Sequence, residues 1–230
     1  VNERASFPNT LVILGACGSS RETYCTVKAE WPGTRVVFAA DYAPVDEFSF
    51  PDETLPIIKD WDFDAVRERL GEGDANAFRQ FICGMGSPRT KKALVERALS
   101  AGLTPAPSVI SSKAHVCPDV VIGRGGIIKP LSTVQTGARL GDYVSVFIGI
   151  LGHDGVVGDY ATIGANSVAA GCVTLGEGVC LGLGATVRQH VTIAPWVEAG
   201  MGAIVVKDVT EPGITLVGNP ARKLNGAPGA

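Results

Sequence analysis

The sequence has little with which to hold a polyanion, a membrane or a metal. Its 20 Lys and Arg stand against 23 Asp and Glu, a formal charge of −3, so there is no basic excess to neutralise a nucleic-acid backbone over a long contact. No apolar run approaches the length that spans a bilayer, so no membrane insertion is expected. The opening VNERASFPNTLVILG has neither the basic nor the apolar region of a secretory leader, and a cytoplasmic protein is expected. The three His form no HxH or HExxH, and the six Cys (Cys17, Cys25, Cys83, Cys117, Cys172, Cys180) form no CxxC, so no metal is expected. The cysteines read as buried thiols of a reducing compartment, with Cys17 set apart by its place in a glycine-rich turn. Aromatics make up 7% of the chain and are concentrated in its first half.

Glycine is what the chain has in excess, and unevenly. Eight of its 29 glycines lie in residues 1–105 and 21 in residues 106–230. Two domains of different architecture are expected, with those boundaries. The first reads as alternating strand and helix. Leu11-Val12-Ile13-Leu14 is a short apolar run closed by Gly-Ala-Cys-Gly-Ser-Ser, with a helix expected from about Arg21. Residues 35–39 (RVVFA) form a second strand, closed by Ala40-Asp41. A helix follows with Asp62 as its cap and Phe63, Val66 and Leu70 on one face. Residues 80–83 (QFIC) form a third strand, and Ser87-Pro88 opens a helix that Gly102 ends. Such units build a small parallel α/β domain whose natural ligand site is the carboxyl end of its strands. The turn Gly15-Ala16-Cys17-Gly18 is only part of a dinucleotide fingerprint, because its glycines are three apart. Open amides at a helix start can hold a phosphate, and Asp41 can accept from a ribose or a base. A tight strand–helix turn and a loop acid remain the plainer alternative.

The second region repeats every six residues. Ile110, Val116, Ile122, Ile128, Val134, Leu140 and Val146 step by six; one residue is then missing. Leu151, Val157, Ile163, Ala169, Leu175, Leu181, Val187, Ile193, Ala199 and Val205 continue the step. Several are followed directly by Gly, as at Gly123, Gly141, Gly158 and Gly176, and these glycines are expected to relieve corners. Neither a strand of period two nor a helix of period 3.6 sustains a period of six. A parallel β-helix with three flat faces per turn does, with one inward aliphatic residue per face and 18 residues per coil.

With this repeat the chain resembles the hexapeptide-repeat acyltransferases, and within them the sugar O- and N-acetyltransferases typified by sialic acid O-acetyltransferase and the bacillosamine-pathway enzyme. VILGACGSSRE, ICGMGSPRTKKAL, GHDGVVGDYATIGANSVAAG, GAIVVKDV and GNPARKL carry the resemblance, in order, over nearly the whole chain. It implies a Rossmann-like α/β domain before a left-handed β-helix. The chain departs from the family at Cys17 and Ser19, where Gly and His are usual. It also has no Asn shortly before its GHDG, and the repeat slips there.

His153 stands in that GHDG, two residues after the inward Leu151, where an imidazole is poorly placed to be core. A histidine titrates near neutrality and can take a proton from an amine or hydroxyl attacking a thioester. In relatives an acid such as Asp154 orients or polarises that base, which here needs a bend or a neighbouring subunit. Gly171 follows His153 by 18 residues, one coil on, and the resemblance makes its amide the oxyanion donor. His115 and His190 are expected to point outward without a catalytic role. Lys129 and Arg188 are expected outward too, as phosphate contacts or solvated corners. Cys172 reads as a structural thiol.

The resemblance further implies a homotrimer with its sites between prisms. Acetyl-CoA is the implied donor, its pantetheine arm lined by backbone around Gly184, Ala185, Gly202 and Ala203. The implied acceptor is a nucleotide-linked amino sugar, with Gly15, Cys17, Gly18 and Asp41 as the matching positions. Two alternatives stand beside N-acetylation: O-acetylation of a free sugar such as sialic acid, and a hexapeptide-repeat scaffold without catalysis. A nucleotidyltransferase would need a larger N-terminal domain, and a carbonic-anhydrase-like enzyme more His ligands.

Overall fold

A computed structural model describes residues 7–224 apart from Ala75. The chain divides into two compact units, one of residues up to Met85 with Thr90–Pro107, the other of Gly86–Arg89 with the residues from Ser108 onward.

In the first unit, β1 (Thr10–Leu14), β2 (Arg35–Ala39), β4 (Thr54–Ile58), β5 (Gln80–Cys83) and β6 (Thr104–Pro105) pair in parallel, and β3 (Glu47–Ser49) adds an antiparallel edge, in the order β3-β4-β2-β1-β5-β6. Three helices connect them: α1 (Gly18–Glu30), α2 (Phe63–Arg69) and α3 (Pro88–Ser100). Leu11, Ile13, Phe38, Phe81 and Ile82 are all fully buried, as the apolar runs require of a sheet covered on both faces. The Asp62 carboxylate caps α2 by accepting from Ala65 N at 2.9 Å. Sequence reading missed the β3–β4 hairpin, because β3 has only three residues and β4 carries Pro56. From β1 the chain adds β2 and β4 on one side, then returns to add β5 and β6 on the other. The carboxyl ends of β1 and β5 therefore frame the crevice that such a reversal leaves open.

The second unit is a left-handed parallel β-helix of seventeen two-residue strands, β7 (Val109–Ile110) to β23 (Ile204–Val205). Together with two later strands they stack as three sheets of eight, six and five strands. The eight-stranded sheet is closed by β24 (Thr215–Val217) and the antiparallel β25 (Arg222–Lys223). The second residue of each pair is the repeat residue. From Ile128 onward every one is 4% exposed or less. Each buried Val, Leu or Ile contributes about 1.5–3 kcal/mol relative to exposure. Ile110, Val116 and Ile122 are half-buried, because theirs is the first coil and has a coil on one side only. Ala138, Ala161, Ser167, Ala185 and Ala203, two positions before a repeat residue, fill the remaining interior.

The corners differ from expectation. The left-handed backbone falls at residues 125, 131, 137 and 143, then at 148, and every six from there to 202. Most of these are not glycine: Leu131, Tyr143, Ile148, Asp154, Tyr160, Asn166, Cys172, His190 and Trp196 all have φ between 56° and 63°. The glycines that follow repeat residues serve close approach instead. A Cβ on Gly164 would lie 2.5 Å from the Leu181 carbonyl oxygen, and one on Gly158 2.6 Å from Glu177 N. The missing residue lies between Val146 and Ile148, where the left-handed corner follows the repeat residue by two positions instead of three.

Two further expectations are corrected. Lys129 is not outward: it is 3% exposed, with its ammonium 4.0 Å from the centre of the Phe147 ring. Of the six cysteines only Cys83 is buried; Cys25 is exposed and the others are half-exposed.

Gly164→Ala should destabilise the protein by about 1–3 kcal/mol through overpacking between coils. Gly73→Ala, with open space above it and no left-handed φ, should leave the urea midpoint unchanged. Equal midpoints for the two variants would contradict the close-approach role.

Candidate active site

The chemistry gathers on one corner of the β-helix, just after β14 (Ile150–Leu151). On a regular strand His153 and Asp154 would point apart. Asp154 has φ +56°, and this bend turns its carboxylate back, so that Asp154 Oδ2 lies 2.9 Å from His153 Nδ1. Both side chains are open to solvent, 55% and 64% exposed. The backbone beneath them is pinned from both neighbouring coils. His153 N donates to Gln135 Oε1 at 3.2 Å and Asp154 N to the Thr136 carbonyl at 2.9 Å, while the His153 carbonyl accepts from Cys172 N at 2.8 Å.

Gly171 lies against the imidazole. A methyl group there would overlap His153 Nε2 and stand 2.6 Å from Cε1. Its carbonyl accepts from His190 N at 3.1 Å, and among the described residues its own N–H has no acceptor. The Asp154 carboxylate engages Nδ1, and Nε2 is the ring nitrogen turned toward Gly171. The absence of a side chain at Gly171 is what lets the His153 ring lie against its backbone.

Two residues escaped the sequence reading. Cys172, half-exposed, occupies the left-handed corner one coil above Asp154, and its Sγ, a His153 nitrogen and an Asp154 oxygen all lie within 4.8 Å of one another. Gln135 anchors the His153 amide. The 18-residue coil signals Cys172, which follows Asp154 by that step; the coil before His153 is one residue short, pairing Val134 with Leu151, so spacing does not mark Gln135. His115 and His190 are exposed; His115 Nε2 lies 3.8 Å from Cys117 Sγ, and His190 takes the next corner above Cys172. Arg188 is exposed.

Gly184 and Gly202 form part of a different corner, at the other edge of the six-stranded sheet. Their φ values are +68° and +66°, and a Cβ on either would meet nothing within 4 Å. Ala185 and Ala203 are fully buried, so their methyl groups belong to the core and only their backbone can face a ligand. Along this corner Leu131, Ile148, Leu183 and Met201 leave an exposed apolar ridge.

In the α/β unit, the remaining residues collect at the carboxyl ends of β1 and β2. Gly15 has φ +101°, and a Cβ there would stand 2.7 Å from Ser20 Oγ and overlap Met85 Sδ. Its N–H donates to the Ala39 carbonyl at 2.7 Å. Cys17 is the N-cap of α1 without a side-chain cap bond; its Sγ lies 3.4 Å from Ser20 Oγ and 3.5 Å from Met85 Sδ. Gly18 opens the helix with clear space above it. Asp41, just past β2, accepts from Trp61 Nε1 at 2.9 Å and is 3.8 Å from Arg97. Both contacts are made by Oδ1.

No protein-family model matches the chain. Among curated proteins it is similar to the GDP-perosamine N-acetyltransferase of Escherichia coli O157:H7, at 27% identity over 226 residues, 96% of this chain and 98% of that one. Among solved structures it is similar to the acetyltransferase domain of PglB from Neisseria gonorrhoeae FA1090 in complex with acetyl coenzyme A, at 27% identity with a TM-score of 0.75, covering 94% of this chain and 99% of that one. PerB from Caulobacter crescentus, in complex with CoA and GDP-perosamine, matches at 25% identity and a TM-score of 0.78, over 96% and 100% of the two chains. These likenesses run nearly end to end and bear out the kinship that the motifs carry. They support a hexapeptide-repeat sugar acetyltransferase, the family that the motifs resemble.

Burial pushes the Cys83 thiol up to about 11, leaving it without thiolate near neutrality. Iodoacetamide on the native protein at pH 8 should label the exposed Cys25 and spare Cys83 until denaturant is added. Peptide mass spectrometry reads the order, and early labelling of Cys83 would contradict its burial.

Proposed function

We propose that this protein transfers an acetyl group from acetyl-CoA to the amine of a nucleotide-linked amino sugar by direct attack. The observation that carries the reading is the corner where His153 Nε2, backed by Asp154 at Nδ1, lies against Gly171. His153 accepts the proton of the amine as nitrogen bonds to the thioester carbonyl carbon. The Gly171 N–H donates to the oxygen as charge develops on it. The adduct then collapses, the carbon–sulfur bond breaks, and CoA leaves as its thiol with the proton that His153 took from the amine. No acyl-enzyme is needed, because base, oxyanion donor and a positioned acceptor suffice. The relatives support the substrate class: two are named for GDP-perosamine or hold it, and two hold CoA or acetyl-CoA.

The donor arm lies along the Gly184 and Gly202 corner, where the missing side chains leave room beside backbone of successive coils. Gly15, Cys17, Gly18 and Asp41 hold the nucleotide end of the acceptor. The donor corner and the His153 corner sit at opposite edges of one face of the same prism. A site using both therefore takes one corner from each of two protomers, and a closed ring of three supplies three such sites. The apolar ridge of Leu131, Ile148, Leu183 and Met201 supports that assembly, since a second prism would cover it. The protein acts in the cytoplasm, where acetyl-CoA and nucleotide sugars are found together. O-acetylation of a free sugar is the second reading, because the same base serves a hydroxyl; no observation favours it here.

Mass spectrometry of the purified protein with acetyl-CoA and a panel of nucleotide-linked amino sugars and free sugars decides the acceptor. Acetylation of free sugars alone would reject the proposal. Light scattering is expected to give a trimer, and a monomer at working concentration would overturn the shared site.

His153→Ala should lower kcat by about 10²- to 10⁴-fold with the assembly intact. Gly171→Ala, which drives a methyl group into the imidazole, should lower kcat in the same direction while nucleotide-sugar binding changes little. Asp154→Asn should cost less than either, and Cys172→Ala least. Loss of transfer in Cys172→Ala with kcat retained in His153→Ala would replace direct attack by an acyl-enzyme route.

A further inference from the structure

We propose that His153, Asp154 and Cys172 form an inhibitory binding site for a thiophilic divalent cation, zinc above all. The three side chains offer nitrogen, carboxylate oxygen and sulfur within 4.8 Å of one another. Ligand atoms around a tetrahedral zinc stand about 3.3–3.8 Å apart, from bonds of about 2.0–2.3 Å. Small side-chain rotations close that difference. They are available because His153 and Asp154 are exposed and Cys172 is half-exposed, all on corners rather than in the packed interior. The backbone needs no movement: Cys172 N already donates to the His153 carbonyl at 2.8 Å, which fixes the spacing of the two coils.

The donor set selects the metal. One thiolate, one imidazole and one carboxylate suit zinc, while magnesium and calcium favour oxygen ligands alone. Three protein ligands leave a fourth position for water. Binding releases the Cys172 thiol proton and takes up a His153 nitrogen lone pair, so affinity should rise with pH. The consequence for transfer rests on the proposed function. A cation drawing His153 and Asp154 toward Cys172 breaks the Nδ1–Asp154 contact and takes the base away from the acceptor. The site itself does not rest on that reading, and its binding is measured without any substrate.

The test uses the full-length protein. Cobalt(II) titration should give a thiolate-to-cobalt charge-transfer band in the near ultraviolet. Competition of zinc against a chromophoric chelator should give one ion per chain. Cys172→Ser and Cys172→Ala should abolish the band and weaken zinc at least tenfold; His153→Gln and Asp154→Asn should each weaken it. Circular dichroism confirms that each variant is folded. The second thiol–imidazole pair, His115 with Cys117, serves as the control, and Cys117→Ser should leave binding unchanged. Zinc should slow transfer by the wild type and release it on adding chelator, with Cys172→Ser less sensitive relative to its own zinc-free rate. Absence of binding at micromolar zinc overturns the proposal. So does binding that survives both Cys172 variants, or that is lost in Cys117→Ser. Zinc binding at Cys172 in a protein that acetylates no amino sugar would keep this site and reject the proposed function.

Discussion

The stacking of coils in register is the constraint on which the β-helix and its site both depend. One residue in six must point inward and be aliphatic, and the backbone must turn left-handed once per face. A left-handed L-residue costs roughly 1–2 kcal/mol, yet nine non-glycine residues of the prism accept it. The strain is held because each corner is bonded to the coils around it, as Asp154 N is to Thr136 and Cys172 N to His153. The corner of His153 and Asp154 is one of these turns. Without the left-handed φ of Asp154 its carboxylate would face away from His153, and without the coil translation Gly171 would not lie against the ring.

The repeat was legible because inward aliphatic residues at period six leave a trace that no other regular structure produces. The 18-residue coil then placed Gly171 over His153 correctly from spacing alone. The corners were not legible in the same way. Glycine was read as the corner residue, but many glycines here are required by the backbone of the next coil, and the true turns carry Leu, Tyr, Ile and Trp. Their side chains lie outside the aliphatic core and show no hydrophobic period. Lys129 misled for a related reason: a charged residue after a repeat position reads as solvated, and only the Phe147 ring beside it shows why it is buried. Cys172 was judged by its neighbours along the chain, whereas the neighbours that matter lie a coil away.

The α/β unit was legible where the chain is apolar and silent where it is not. LVIL, RVVFA and QFIC became β1, β2 and β5, and the Asp62 cap fell where its residue type predicts. The short hairpin was invisible. The turn after β1 departs from its relatives by placing Cys17 where they usually have Gly, and the thiol settles against Met85 and Ser20 without serving as a cap. That leaves the α1 amides uncapped by a side chain, which is the condition an incoming phosphate requires.

The division between prism and corner also explains how one scaffold carries a site without being weakened by it. The residues proposed for chemistry contribute almost nothing to the buried column: His153 and Asp154 are exposed, and Gly171 has no side chain to pack. Removing any of them should therefore change reactivity before stability, in contrast to Gly164 or the repeat residues. The missing residue between Val146 and Ile148 fits the same division. It shortens one corner and brings the chain to Leu151 a residue early, while the inward column continues from Val146 to Leu151 without a break in burial. A slip in a solenoid is tolerated where it falls in a corner, because only the column and the ladder must stay in register. Variation in acceptor and metal sensitivity can thus accumulate at the corners, at residues such as Cys172 and Gln135, while the aliphatic repeat holds the fold.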